Sequence, residues 1–182
     1  MIIFVGVAGS GKSVQGKLLA KTLNANYFSM GEFLRQHLDP TIQKKMLTGE
    51  LISDDEVIRE ISEELSKVAT IYEEFILDGF PRTLVQVDWL LTQVAQNKLK
   101  ISAVINLVAP EEIITERLLG RKRPDDHLEA IKIRIREYNK ATLPIIERMK
   151  QAGVKVFNID AERSVEVVHS DIIKALSELN KI

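Results

Sequence analysis

Apolar residues along this chain fall into two kinds of segment that take turns. Short continuous runs lie at Met1 to Val5, Phe75-Ile76-Leu77 closing in Asp78, Ile101 to Val108 and Val154 to Ile159, with a shorter one at Asn26-Tyr27-Phe28. Runs of this length bounded by turn residues read as buried strands. Between them, apolar residues recur at helical spacing over Val14–Leu23, Ser53 to about Val68, Thr83–Gln96, Pro110–Leu119 and Ser164–Leu179. Ser29 followed by Glu32, and Ser53 followed by Glu56, have the form of capping boxes at helix starts. A further short helix is predicted from Asp39-Pro40 to Leu47, with Thr48 to Ile52 as its connecting loop. A long helix follows Asp126, broken or kinked at Pro144. About five strands alternating with helices predict a parallel sheet covered on both faces, an α/β fold. Several short helices between the second and third strands predict an insert on that sheet. Ligands in such sheets bind beyond the carboxyl ends of the strands, where Gly6, Asp78 and Val108 fall.

The first strand-to-helix junction carries chemistry. Gly6-x4-Gly11-Lys12-Ser13 sits between the strand Met1–Val5 and the helix that follows, the complete phosphate-loop pattern in its proper context. Glycines let successive backbone N–H groups converge on an anion, and the helix N-terminus adds the positive end of its dipole. Lys12 supplies a charge for the β- and γ-phosphates, and Ser13 offers a hydroxyl to Mg2+. Asp78, ending a Phe-Ile-Leu-Asp strand, suits a Mg2+ acid acting through water; the alternative is an acid capping a turn.

One triphosphate needs one such loop, yet Arg35, Arg82, Arg117, Arg121, Arg123 and Arg134 all follow or flank features at the same sheet edge. Guanidinium groups grip phosphate oxygens in pairs and stabilise charge on a phosphoryl group in transfer. The surplus suits a second phosphate-bearing substrate. The alternative is a set of solvated arginines, with Asp125 and Asp126 pairing to Arg121 and Arg123 as a surface ionic knot.

Composition narrows the rest. The chain has 182 residues, 45% hydrophobic and 28% charged, which is one globular domain with a substantial core. A net charge of -1 argues against a broad nucleic-acid or membrane-surface field. There is no cysteine, so disulfides, thiolate catalysis and cysteine metal sites are excluded. No apolar stretch is long enough for a membrane span or signal peptide, so a cytoplasmic protein is expected. His37, His127 and His169 are isolated and read as surface or helix histidines, and Trp89 reads as a packing residue.

Five ordered motifs spread over nearly the whole chain resemble the adenylate kinase family of nucleoside monophosphate kinases. They are the phosphate loop with Gln15 beyond it, Ser29-Met30-Gly31-Glu32-Phe33-Leu34-Arg35, Asp78-Gly79-Phe80-Pro81-Arg82-Thr83 with Gln86, Arg121-Lys122-Arg123-Pro124-Asp125-Asp126, and Arg134-x3-Tyr138-x3-Thr142-x-Pro144. The resemblance implies a P-loop nucleoside-triphosphate hydrolase-like fold with core segments 1–28, 61–120 and 133–182. It also implies a monophosphate-binding insert at 29–60 and a short lid at 121–132. It implies transfer of a phosphoryl group from MgATP to a monophosphate, AMP favoured, by a monomer.

The implied roles are residue by residue. Gly9, Ser10, Gly11, Lys12, Ser13 and Val14 hold ATP, and Arg117 lies against its base. Met30, Arg35, Gly79, Arg82 and Gln86 hold the monophosphate, with Gln86 reading the base. Lys12, Arg82, Arg121, Arg123 and Arg134 act on the phosphoryl group, Asp125 and Asp126 orient the lid arginines, and Ser13 and Asp78 serve Mg2+. No structural zinc is expected in so short and cysteine-free a lid. Met30 stands where the family usually has threonine, which keeps UMP or CMP open as acceptor. A nucleotide-binding regulator without transfer is a further alternative. Ser13-Val14 replaces Gly-Thr, and Ala8 and Ala161 replace a frequent proline and glycine.

Overall fold

The computed structural model describes residues 1–37, 53–121, 123 and 126–179. Its framework is a five-stranded sheet, all pairs parallel: β1 (Ile2–Val5), β2 (Asn26–Ser29), β3 (Phe75–Asp78), β4 (Ala103–Val108) and β5 (Val156–Asp160), in the order β2-β3-β1-β4-β5. The described helices are α1 (Lys12–Leu23), α2 (Met30–His37), α3 (Asp54–Ile71), α4 (Leu84–Ala95), α5 (Glu111–Arg121), α6 (Leu128–Glu137), α7 (Pro144–Gln151) and α8 (Val165–Ser177). The predicted helix Asp39–Leu47 and the loop Thr48–Ile52 lie outside the described residues. Among the described residues, no helix is long and apolar enough to cross a membrane.

Successive strand residues point to opposite faces, and both faces here are apolar. Ile3, Val5, Phe75, Leu77 and Val104 pack with α3, α4 and α7 through residues such as Ile61, Leu65, Leu90 and Met149. Ile2, Phe4, Ile76, Ile105 and Leu107 pack with α1 and α8 through Leu19, Val168, Ile172 and Leu176. That double burial explains why the strands read as continuous apolar runs. A third, smaller cluster of Val7, Ile114, Leu118 and Ile131 seats α5 and α6 against the loop after β1.

Two boundaries differ from the pattern-based reading for local reasons. The long helix does not break at Pro144 itself. A π-type turn over Tyr138–Thr142 precedes it, with the N–H of Leu143 donated to Tyr138 O at 2.7 Å, and Pro144 opens α7 at its first turn. Proline has no N–H to give and its ring crowds the carbonyl four residues back, so the turn before it widens. The last strand starts at Val156 because Val154 N–H closes the C-terminus of α7 on Met149 O at 3.0 Å. Central β1 has β3 on one side and β4 on the other, so the loops after these strands open together at the point where chain direction across the sheet reverses.

Candidate active site

A cavity of about 570 Å³ lies at that reversal point, of a size that suits a small-molecule ligand. The loop Gly6–Gly11 forms its floor. Gly9 has φ +90°, and a Cβ there would stand 2.9 Å from Leu118 Cγ and 3.1 Å from Ile114 O, so only glycine lets the loop rest on α5. No side chain caps the start of α1, which leaves its first-turn N–H groups for a ligand. Lys12 Nζ folds back over the loop, donating to Gly6 O at 2.7 Å and Val7 O at 2.9 Å. Burial, aided by the charges of Arg82 and Arg121 and opposed by Asp78, lowers the Lys12 pKa to about 8. Among the described residues, the buried Ser10 Oγ makes no hydrogen bond.

Asp78 is the last residue of β3 and is 3% exposed. Its Oδ2 accepts from Ser13 Oγ at 2.7 Å and from the Tyr27 hydroxyl at 2.6 Å. Burial first, then the Asp78 charge, holds the Tyr27 phenol well above the usual tyrosine range, so it remains a donor. Hard oxygens in this pairing fit Mg2+, which takes one or two protein oxygens and fills its shell with waters and phosphates. Among the described residues there is no group of three or more acid, histidine or cysteine side chains placed to hold a metal ion.

The arginines meet around Asp126. Arg121 forks onto it, Nε to Oδ2 at 2.7 Å and Nη2 to Oδ1 at 2.6 Å, while Arg134 Nη1 reaches Oδ1 at 3.3 Å and Arg123 N reaches Oδ2 at 3.2 Å. Burial alone would push the Asp126 carboxyl up; these donors outweigh it and hold it below the usual carboxylate range. The three arginines line the cavity. Arg117, one turn before Arg121 on α5, donates to Ala161 O at 2.8 Å and Glu162 O at 3.1 Å, tying α5 to the loop after β5. The other predicted lid acid, Asp125, lies outside the described residues.

On the opposite wall stand Met30, Arg35, Gly79, Arg82 and Gln86. Gly79 has φ +84°, and Arg82 Nη2 would be 3.1 Å from a Cβ there, so the glycine lets the guanidinium lie across the backbone. Arg82 Nε donates to Gly79 O at 2.8 Å. Burial, with repulsion from Arg134 and Arg35, lowers the Arg82 pKa from its ordinary value against the attraction of Asp78. Gln86 is 3% exposed and its amide is engaged at both ends: Oε1 accepts from Arg82 N at 2.7 Å and Nε2 donates to Asp54 Oδ1 at 2.8 Å. Met30 is 2% exposed and packs into the core beside Leu34, so it is a packing side chain as well as part of the wall.

None of the three histidines lines the cavity: His37 stacks on Phe33, His127 caps α6, and His169 contacts Thr22. Trp89 meets Phe80 edge to face in the core. Two polar residues escaped the reading of the sequence, Tyr27 and Asp54. Register brings Tyr27 beside Asp78, two positions along the β2–β3 ladder. Asp54 looked like one of several helix-start acids, and only folding shows that it also accepts from Thr83 Oγ1 at 2.7 Å.

Holding a triphosphate takes one side of this cleft. A second wall of arginines over the same floor is what moving a phosphoryl group between two substrates requires, so fold and cleft define a P-loop phosphotransferase. A sequence model of the family described as Adenylate kinase matches residues 4–154. The chain is 33% identical over 183 residues to the adenylate kinase of Corynebacterium urealyticum, covering 97% of this chain and 99% of that one. It is 36% identical over 177 residues to that of Prochlorococcus marinus strain AS9601, covering 94% and 95%, and 34% identical over 185 residues to that of Leptospira biflexa, covering 96% and 98%. The chain belongs to the adenylate kinase family.

Proposed function

We propose that the protein catalyses reversible phosphoryl transfer from MgATP to AMP, giving two ADP, in the cytoplasm and as a monomer. The observation that carries this is one cavity with the phosphate loop as floor and Arg35, Arg82, Arg121, Arg123 and Arg134 around it. Gly9 to Val14 hold the donor phosphates, with Lys12 on the β- and γ-oxygens, and Arg117 lies against the donor base. Arg35 and Arg82 hold the acceptor phosphate, with Gly79 giving Arg82 its room. An acceptor phosphate oxygen forms a bond to the γ-phosphorus as the bond to the β–γ bridging oxygen breaks, and ADP leaves with that oxygen. Arg121, Arg123 and Arg134 neutralise charge on the group in transit, with Asp126, and Asp125 beside it, aiming them. Bound Mg2+, served by Ser13 and by Asp78 through water, supplies charge neutralisation on the phosphates. The insert 29–60 and the lid 121–132 close over the pair of substrates and exclude water that would hydrolyse ATP.

Met30 and Gln86 bear on the acceptor base. Met30 has no hydroxyl to offer, and the Gln86 amide keeps one hydrogen and one lone pair for a base beyond its bonds to Asp54 and Arg82. Adenine's edge takes such a pair; a pyrimidine monophosphate is the second reading, motivated by Met30. The test is ADP formation from MgATP with AMP, UMP, CMP, GMP and no acceptor. Turnover led by AMP is expected. Turnover led by UMP or CMP would move the base assignment, and no transfer to any acceptor despite ATP binding would overturn the proposal.

A further inference from the structure

The buried Asp78 carboxylate has a partner that the roles above do not use. Tyr27, on β2, donates its hydroxyl to Asp78 Oδ2 at 2.6 Å, the same oxygen that takes the Ser13 hydroxyl at 2.7 Å. Resting on the reading of Asp78 and Ser13 as the Mg2+-side oxygens, we propose that Tyr27 is a positioning residue. It locks the plane of the Asp78 carboxylate for work on the metal, and Gly16 is the seat that makes this possible.

Three observations converge. First, two donors on one oxygen fix the carboxylate plane, because rotating it would break both bonds at once. Oδ1 is thereby held in one direction, and the Ser13 proton is committed to Asp78, which leaves the Ser13 lone pairs for a cation. Second, the geometry is set by the sheet. Tyr27 pairs with Ile76 and Ser29 with Asp78, so Tyr27 and Asp78 lie on the same face, towards α1. Third, α1 carries a glycine in its interior, which is unfavourable for a helix relative to alanine. A Cβ at Gly16 would lie 2.6 Å from Tyr27 Cε2 and 3.2 Å from Cδ2. The missing side chain is the space the ring occupies, while Lys17 Nζ stands 5.5 Å from the ring centroid. A tyrosine that only filled space here would not need its hydroxyl on the buried carboxylate that also takes the Ser13 hydroxyl.

Tyr27→Phe keeps the ring in its seat and removes only the hydroxyl. The experiment is calorimetry of ATP binding without acceptor, in Mg2+ and in EDTA, on the full chain and the variant, together with a Mg2+ titration of turnover. ATP affinity in EDTA should stay within about twofold of the parent, while MgATP binding weakens about tenfold, in the range of losses when a group behind a metal ligand is removed. The Mg2+ concentration for half-maximal turnover should rise more than kcat falls. Gly16→Ala, which pushes the ring off its seat, should reproduce the metal-specific loss and add nothing to it in a Tyr27→Phe background. Equal losses in Mg2+ and EDTA would make Tyr27 a purely structural residue, and unchanged MgATP binding would end the inference while leaving the proposed function intact. If the parent itself gains nothing from Mg2+, the metal reading of Asp78 and Ser13 falls and this inference falls with it.

Discussion

At the scale of single residues, charge and burial set the behaviour of the cleft. Lys12, with its pKa lowered to about 8, is half neutral at that pH when no nucleotide is present. A phosphate anion restores its proton, so ATP binding at pH 8.5 should take up roughly half a proton or more, read by calorimetry in buffers of different ionisation enthalpy. Lys12→Met should abolish that uptake. The sign for stability follows. Between pH 8 and 10.5 the unfolded chain binds more protons than the folded one, so the nucleotide-free fold gains stability as pH rises through that window and lacks that gain below it. Arg82, buried and braced on Gly79, should matter for transfer more than for ATP binding. Arg82→Ala is expected to lower kcat about 10^3-fold with little change in ATP Kd, and an unaltered rate would take Arg82 out of the site. Met30→Thr, on the same wall as Arg82, should raise kcat/KM for AMP relative to UMP and CMP. No shift in that ratio would mean that Met30 packs without facing the base.

Elements act here through their ends. Thr83 begins α4 by accepting the Gln86 N–H at 3.2 Å and at the same time donates to Asp54 on α3 at 2.7 Å. One hydroxyl thus caps a helix and pins the α3 N-terminus to the Gly79–Arg82 loop. Thr83→Ala should cost about 1–2 kcal/mol in urea unfolding, the range for a lost cap, and loosen the acceptor wall so that KM for the monophosphate rises more than KM for ATP. The two expected capping boxes turned out unlike one another. Ser29 Oγ accepts from Glu32 N at 3.4 Å, whereas Ser53 gives its hydroxyl to the Glu56 carboxylate at 2.5 Å and makes no side-chain cap bond to the helix. Ser-x-x-Glu permits either bond, and the backbone at the helix start chooses.

For the whole molecule, the strand order does the assembling. Residues as far apart in sequence as Lys12, Asp78 and Arg134 share one cavity because β1 lies between β3 and β4 and each of these strands ends at the same edge.

The sequence alone determined the alternation of strands and helices, the parallel sheet buried on both faces, the phosphate loop and the surplus of arginines. These are legible because each rests on local periodicity or on residues within one turn. Only the tertiary structure decided that Gln86 spends one bond at each end of its amide on the protein, that Asp126 gathers the Arg121 and Arg134 guanidiniums and the Arg123 N–H, and that Tyr27 and Asp54 are bonded to residues of the site. The reason is physical. A strand or a glycine loop is dictated by its own few residues, whereas a hydrogen bond between Tyr27 and Asp78 depends on strand register and on what the helix above leaves empty.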